Sequence, residues 1–261
     1  MATEKERGAK NIQSLERAVM ILEYLSKHPA GAQLTSISRD LGLNKSTAFG
    51  LVSTLENLRC IRQDQNTSRY YLGLRLLEFG HSLMTSMDII TVGKPFLREL
   101  SAKYDETVNL ALLSGNNVIY VDRVQSSKSV RVEMQLHEQV PTYCCSTGKV
   151  FLSYMDHQQR DAIIEKMDFK PRTIYTIVSK AQLLAELENI RNRGYAYDRE
   201  EYEIGLTCIA APVLDQEGRV TAAISLNAPT GRMLQINQEE LILDIRNTAK
   251  KMAVRIEALG V

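Results

Sequence analysis

Residues 34–58, LTSISRDLGLNKSTAFGLVSTLENL, constrain the chain more than any other stretch. Leu34, Ile37 and Leu41 recur at helical spacing, and Gly42 stops the run. Leu43 is then free to plug the space between two helices. Asn44 is a good N-cap, and Lys45, Ser46 and Thr47 open a second helix with Ala48, Leu51, Val52, Leu55 and Leu58 on one face. Helix, glycine turn and helix is the unit that sets its second helix in a DNA major groove. An ordinary helical hairpin would also satisfy these residues, so the flanking chain has to decide.

Before this stretch, SLERAVMILEYLSKH reads as an amphipathic helix that Ser14 can cap, with Leu15, Ala18, Val19, Leu22 and Leu25 as its buried face. Pro29, Ala30 and Gly31 break it. After it, residues 60–62 and 70–72 read as short strands around the polar turn QDQNTSR. Three helices and a hairpin make a winged helix-turn-helix. Its hairpin loop, with Arg69 at the far side, would lie against the DNA backbone or minor groove. Charge points the same way. Residues 1–75 hold 11 Lys and Arg against 7 Asp and Glu, a net of +4, while the remainder nets −3.

At 261 residues, 44% hydrophobic and 24% charged, the chain has room for one or two domains with their own cores. No apolar run approaches the ~18 residues of a membrane span, and the polar start MATEKERGAK is no signal peptide, so a cytoplasmic protein is expected. Cys60, Cys144, Cys145 and Cys208 lack CxxC spacing, which argues against a disulfide framework or a structural zinc.

The segments QSLERAVMILEYLS, LNKSTAFGLVSTLENL and YYLGLRLLEFG closely resemble the N-terminal domain of the IclR family of bacterial transcription regulators. The resemblance implies a winged helix-turn-helix, a linker helix that helps pair subunits, and a C-terminal effector-binding domain. Lys45, Ser46 and Thr47 match the recognition-helix motif; Tyr70, Leu72, Gly73, Leu76 and Leu77 match the passage into the linker. Phe49 and Gly50 depart from the family's aromatic or His followed by Arg, and Gly50 costs the helix roughly 1 kcal/mol relative to Ala. Arg59 or Cys60 stands where a glycine usually precedes the wing. The candidate DNA contacts are Thr35, Asn44, Lys45, Ser46, Thr47, Phe49, Gly50, Ser53 and Arg69.

Residues 74–90 read as the linker helix, and the next helix, 89–104, carries Pro95, which suggests a break or a late start. From Glu106 the pattern turns to strands. TVNLALL and NVIYVDRV flank the turn SGNN, SVRVEMQL reads as a third strand, and EIGLTCIAAPVL and RVTAAISLNAP enclose DQEG. Helices are expected after Ser146, over 158–167 and 180–193, and from about 237 to 259. The fold class is α+β, and the C-terminal half looks like the family's GAF-like effector domain. The expected division is a polar tail at 1–11, the winged helix-turn-helix at 12–73, the linker at 74–90 and the effector domain at 91–261.

Two motifs stand out in that domain. In CSTGK, residues 145–149, backbone N–H groups at a helix start make an anion site suited to a carboxylate, without the spacing of a phosphate-binding loop. DREEYEIGLTC, residues 198–208, reads as an acidic turn running into a strand. A plain capped helix and a solvated loop are the simpler readings of the two. The resemblance implies that Ser146, Thr147, Gly148, Asp198, Leu206, Cys208 and Ser225 meet the polar groups of an effector, with Val132, Met134 and Val140 as its apolar wall. No catalytic set and no metal site emerges: His28, His81, His137 and His157 are scattered, and HExxH, GxSxG and dinucleotide fingerprints are absent. The expectation is a cofactor-free, ligand-responsive regulator of a catabolic operon. As a homodimer or homotetramer it binds double-stranded operator DNA and a small organic acid, away from any membrane. The alternative is an enzyme acting on a small acid, with a DNA-binding appendix.

Overall fold

The computed structural model describes residues 11–86, 88–133, 136 and 139–259. It divides into two compact units, Met1–Ser86 and Met87–Val261.

In the first unit, α1 (Gln13–Ser26), α2 (Leu34–Asp40) and α3 (Lys45–Asn57) precede a two-stranded sheet, β1 (Ile61–Gln63) and β2 (Tyr70–Leu72), and then α4 (Arg75–Ser86). Ile21, Leu25, Ile37, Val52, Leu55, Ile61 and Tyr70 form its core. The α1 reading needs two corrections. Its N-cap is Ile12, with no side-chain bond, so Ser14 sits inside the first turn. Its inward stripe is Ala18, Ile21, Leu22 and Leu25, whereas Leu15 and Val19 are exposed. The core is a single seam, and residues at i, i+3, i+4 and i+7 suffice to fill it. The turn after α2 follows expectation: Gly42 takes φ +63°, and the buried Ser38 hydroxyl donates to the Leu43 carbonyl at 2.6 Å. The hairpin pairs Arg62 with Tyr71, and Asp64 Oδ1 accepts from the amides of Asn66 and Thr67, which closes its loop.

In the second unit, six antiparallel strands lie in the order β5-β4-β3-β8-β7-β6. These are β3 (Thr107–Ser114), β4 (Asn117–Val124), β5 (Gln139–Pro141), β6 (Ala196–Arg199), β7 (Leu206–Leu214) and β8 (Val220–Pro229). Alternation along the strands gives two buried faces. One carries Val108, Leu110, Ile209, Ile224 and Leu226 against α5 (Asp88–Tyr104) and α10 (Gln238–Glu257). The other carries Ala111, Tyr120, Ala210 and Ala223 against α6 (Ser146–Tyr154), α7 (His157–Glu165) and α8 (Lys180–Arg193). The short α9 (Thr230–Met233) follows β8 directly.

Three expectations change here. Helix α5 runs through Pro95 without a break; burial of Leu97 and Leu100 in the core offsets a lost backbone bond worth about 3 kcal/mol. Residues 129–133 are not a strand. Their carbonyls are held by side chains instead, Val130 by Arg232 at 2.7 Å and Val132 by Thr107 at 3.3 Å, and the third strand is β5. Asp198 lies in β6, a strand in place of the expected acidic turn. The expected linker helix 74–90 takes in α4 and the first residues of α5, while residue 87 between them and residues 1–10 of the tail lie outside the described residues.

Candidate functional site

Helix α3 opens with a tight cap. Asn44 Oδ1 accepts the Thr47 amide at 2.8 Å and the Ser46 hydroxyl at 3.0 Å, so these residues form one rigid unit at the positive end of the helix. Lys45, Ser46, Phe49 and Gly50 are exposed beside it, Thr47 and Ser53 are half-buried, and Thr35 is exposed on α2. A side chain at Gly50 would meet nothing within 4 Å, so the glycine leaves a gap in the exposed surface rather than in the core. Arg69 is placed differently from its neighbours. Its guanidinium donates to the Gly31 carbonyl at 2.8 Å, bracing the hairpin against the turn after α1. Arg69 is nonetheless exposed, and so is a second wing cation, Arg62, stacked over the Tyr71 ring at 4.6 Å, which sequence reasoning overlooked. Arg59 adopts φ +58°, which explains why a glycine would suit this position.

The second candidate lies between the sheet and α6. Helix α6 starts at Ser146 with Cys145 as its N-cap and no side-chain cap, so its first amides lack the usual partner. Ser146 is buried and its Oγ meets no partner. Thr147 Oγ1 lies 3.2 Å from the Tyr120 hydroxyl, tying the helix start to β4. Gly148 serves a close approach, since a Cβ there would fall 2.4 Å from the Thr142 backbone. Lys149, 1% exposed, forms a buried ion pair with Glu201 at 2.5 Å.

Asp198 is 1% exposed, and its Oδ1 accepts the amides of Glu201 at 2.7 Å and Tyr202 at 3.3 Å. Burial, and then the nearby Glu201 carboxylate, push its pKa up to about 7 despite Lys149 and those two amides. Cys208 stands opposite Asp198 in the ladder, and Asn227 opposite Cys208. Ser225 is buried with its Oγ unpartnered, Leu206 is buried on β7, and Val140 is buried on β5 among the α6-side core residues. Val132 is half-buried at the Thr107 end, and Met134 lies outside the described residues. Ser146, Thr147, Asp198, Cys208 and Ser225 thus come from three strands and one helix onto one buried face.

Sequence reasoning missed Asn109, Tyr120, Arg123 and Asn227 on that face, and it included Lys149 and Glu201 only as members of the two motifs. The available signal was a polar residue at the inward step of an apolar alternation, as at Asn109 in VNLAL and Asn227 in SLNAP. A surface cleft of about 350 Å³ between β7 and α10, lined by Tyr154, Ala211, Leu214 and Arg246, shares no residue with this set.

The four cysteines are free and buried. Burial pushes the Cys145 thiol up to about 12 and raises those of Cys144 and Cys208 as well, so none of these three is poised as a nucleophile. Among the described residues no group of three or more His, Cys, Asp and Glu could hold a metal, and no helix is long and apolar enough to cross a membrane.

Comparison with known proteins agrees with both halves. Residues 14–65 match the IclR helix-turn-helix domain, and residues 81–254 match the bacterial transcriptional regulator IclR C-terminal family. The HTH-type transcriptional regulator XynR of Escherichia coli is 33% identical over 222 residues, covering 85% of this chain and 88% of the relative. An IclR-type regulator from Silicibacter superposes with a TM-score of 0.81 at 26% identity, covering 93% of this chain and 96% of that one. An IclR homologue from Microbacterium hydrocarbonoxydans, solved in complex with 4-hydroxybenzoate, shares the fold at TM-score 0.78 and 23% identity, over 94% and 99% of the two chains. The relatives are regulators rather than enzymes, which agrees with the protonated thiols. The chain belongs to the IclR family of bacterial transcription regulators, as a DNA-binding regulator with a helix-turn-helix and an α+β C-terminal domain.

Proposed function

We propose that this regulator controls a catabolic operon in the bacterial cytoplasm and that its effector is a small organic acid held between α6 and the sheet. The observation that carries the reading is the uncapped start of α6 beside the buried, unpartnered Ser146 hydroxyl. Amides at a helix start and a spare hydroxyl suit a carboxylate. The fold relative that holds 4-hydroxybenzoate, itself a carboxylate, supports this class. Asp198, its pKa pushed up to about 7, would take up a proton rather than stay an anion beside the acid's charged end, so that end falls to the helix start. Asp198 shapes the site through the amides of Glu201 and Tyr202 and accepts a ligand hydroxyl.

Paired recognition helices in a homodimer or homotetramer would read a pseudo-palindromic operator. Effector binding would shift the balance between DNA-competent and incompetent arrangements. Lys45 meets phosphate, while Ser46 and Thr47 face base edges. The test is operator binding by the purified protein with and without acids found by a thermal-shift screen. Asp198→Ala should keep operator affinity and lose the response, with effector affinity falling roughly ten- to a hundred-fold. Effector affinity held within about two-fold would place the pocket elsewhere.

A further inference from the structure

Three strands contribute one residue each to a single cross-strand row. Ser225 of β8 pairs with Asn109 of β3, and Asn109 pairs with Arg123 of β4. Asn109 and Ser225 share the face of Ala111 and Ala223 that α6 covers, and Arg123 Nε reaches the Asn109 Oδ1 at 2.9 Å, so its guanidinium lies over that face too. Each of the three ends in a buried polar atom without a partner: Ser225 Oγ, Asn109 Nδ2 and Arg123 Nη2. An amide nitrogen and a guanidinium nitrogen only donate, and a hydroxyl donates when an acceptor is offered. Asn109's acceptor is already taken by Arg123. What remains along the row is a set of donors with nothing to receive them.

Such atoms are expensive to bury, about 1–3 kcal/mol each and more when charged. Among the described residues no carboxylate pairs directly with them. Asp122 turns to the other face, where Lys94 holds it at 2.6 Å. Glu201 pairs with Lys149 through Oε1, its Oε2 being buried without a partner, and Glu106 is committed to Arg232 and Lys128. Among the described residues no acid lies within ion-pair distance of Arg123. Burial pulls its guanidinium below the ordinary range, and Tyr120 and the exposed Glu133, which forms no ion pair with it, offset this only in part.

The row is also near the start of α6. Thr147 touches Tyr120 of β4, and Arg123 lies three residues further along that strand, on the order of 10 Å away. We propose that Ser225, Asn109 and Arg123 form a second oxyanion subsite, and that the effector is a short dianion of roughly four to six carbons, a dicarboxylate held at one end by the start of α6 and at the other by Arg123. This rests on the organic-acid reading above and narrows it.

The test uses the full chain, with succinate, glutarate and adipate set against butyrate, pentanoate and hexanoate at one pH and constant ionic strength. Thermal shift and calorimetry should find a diacid that binds at least about ten-fold tighter than the monoacid of equal length. Arg123→Gln, which keeps a donor for Asn109, should lower diacid affinity roughly ten- to a hundred-fold and leave monoacid affinity within about two-fold. Arg123→Lys should recover only part of the loss, because a point charge does not reproduce the planar fork. Monoacids binding as tightly as diacids, or an Arg123→Gln variant with unchanged diacid affinity, would overturn the second subsite while leaving the acid reading intact. If no acid of either class binds, the acid reading fails and the subsite with it. Should Arg123→Gln misfold, the wild-type ratio of diacid to monoacid affinity still decides.

Discussion

Asp198 is the residue whose chemistry reaches furthest. Its carboxyl, pushed up to about 7 in the folded protein, has an ordinary value of 3.8 when exposed. Below the lower value both folded and unfolded chains hold the proton, and the group contributes nothing to stability. Between the two values the unfolded chain ionises while the folded one does not, so the folded state loses stability as pH rises, with the full penalty present above about 7. Asp198→Asn keeps an acceptor for the two amides and removes the titration. It should therefore unfold at higher urea than wild type at pH 8, by up to about 4 kcal/mol, with the advantage vanishing at pH 4. An acidic effector bound nearby should raise the Asp198 pKa further and take up a proton, so calorimetry should show weaker binding at pH 8 than at pH 6 in wild type and a flatter profile in Asp198→Asn. Arg59 is the corresponding residue of the first unit. Its left-handed φ is disfavoured for a side chain, and Arg59→Gly should stabilise that unit by about 1 kcal/mol in urea.

At the scale of elements, α3 depends on its cap. Asn44→Ala should cost about 1 kcal/mol of stability. It should also weaken discrimination between operator and mutated sites, because the Ser46 hydroxyl is oriented by the same carboxamide. A gel-shift series on both DNAs separates this from Lys45→Ala, which should weaken all DNA alike and reduce the salt slope. Elements whose punctuation is local were legible in the sequence. Gly42 ends α2, Asn44 caps α3, and Gly194 at φ +79° ends α8 at Arg193, where the chain was read to stop. Elements decided by distant partners were not. Pro95 argued against a helix that Leu97 and Leu100 sustain through the core, and Val130 and Val132 alternate like a strand although Arg232 and Thr107 hold their carbonyls. The same division runs through the candidate site. The helix start at Ser146 announces itself, whereas Arg123 matters only because β4 pairs with β3 beside Asn109.

For the whole molecule, Leu74 and Leu77 are exposed on one side of the α4 segment, three residues apart and so adjacent on the helix surface. If the proposed homo-oligomer pairs through this helix, Leu77→Glu should break that pairing in sedimentation before it unfolds the second unit; a variant that keeps the wild-type oligomeric state and operator affinity would make α4 a connector only. The sealed thiols give the molecule a built-in clock. Cys145 and Cys208 can meet an aqueous disulfide reagent only when the space between α6 and the sheet opens, while Cys60 reports on the first unit alone. Labelling rates read residue by residue thus time the breathing of each half separately. An acid that seats beside Ser146 should slow modification of Cys145 and Cys208 and leave Cys60 at its own pace, so thiol labelling becomes a measure of how often the proposed ligand chamber stands ajar.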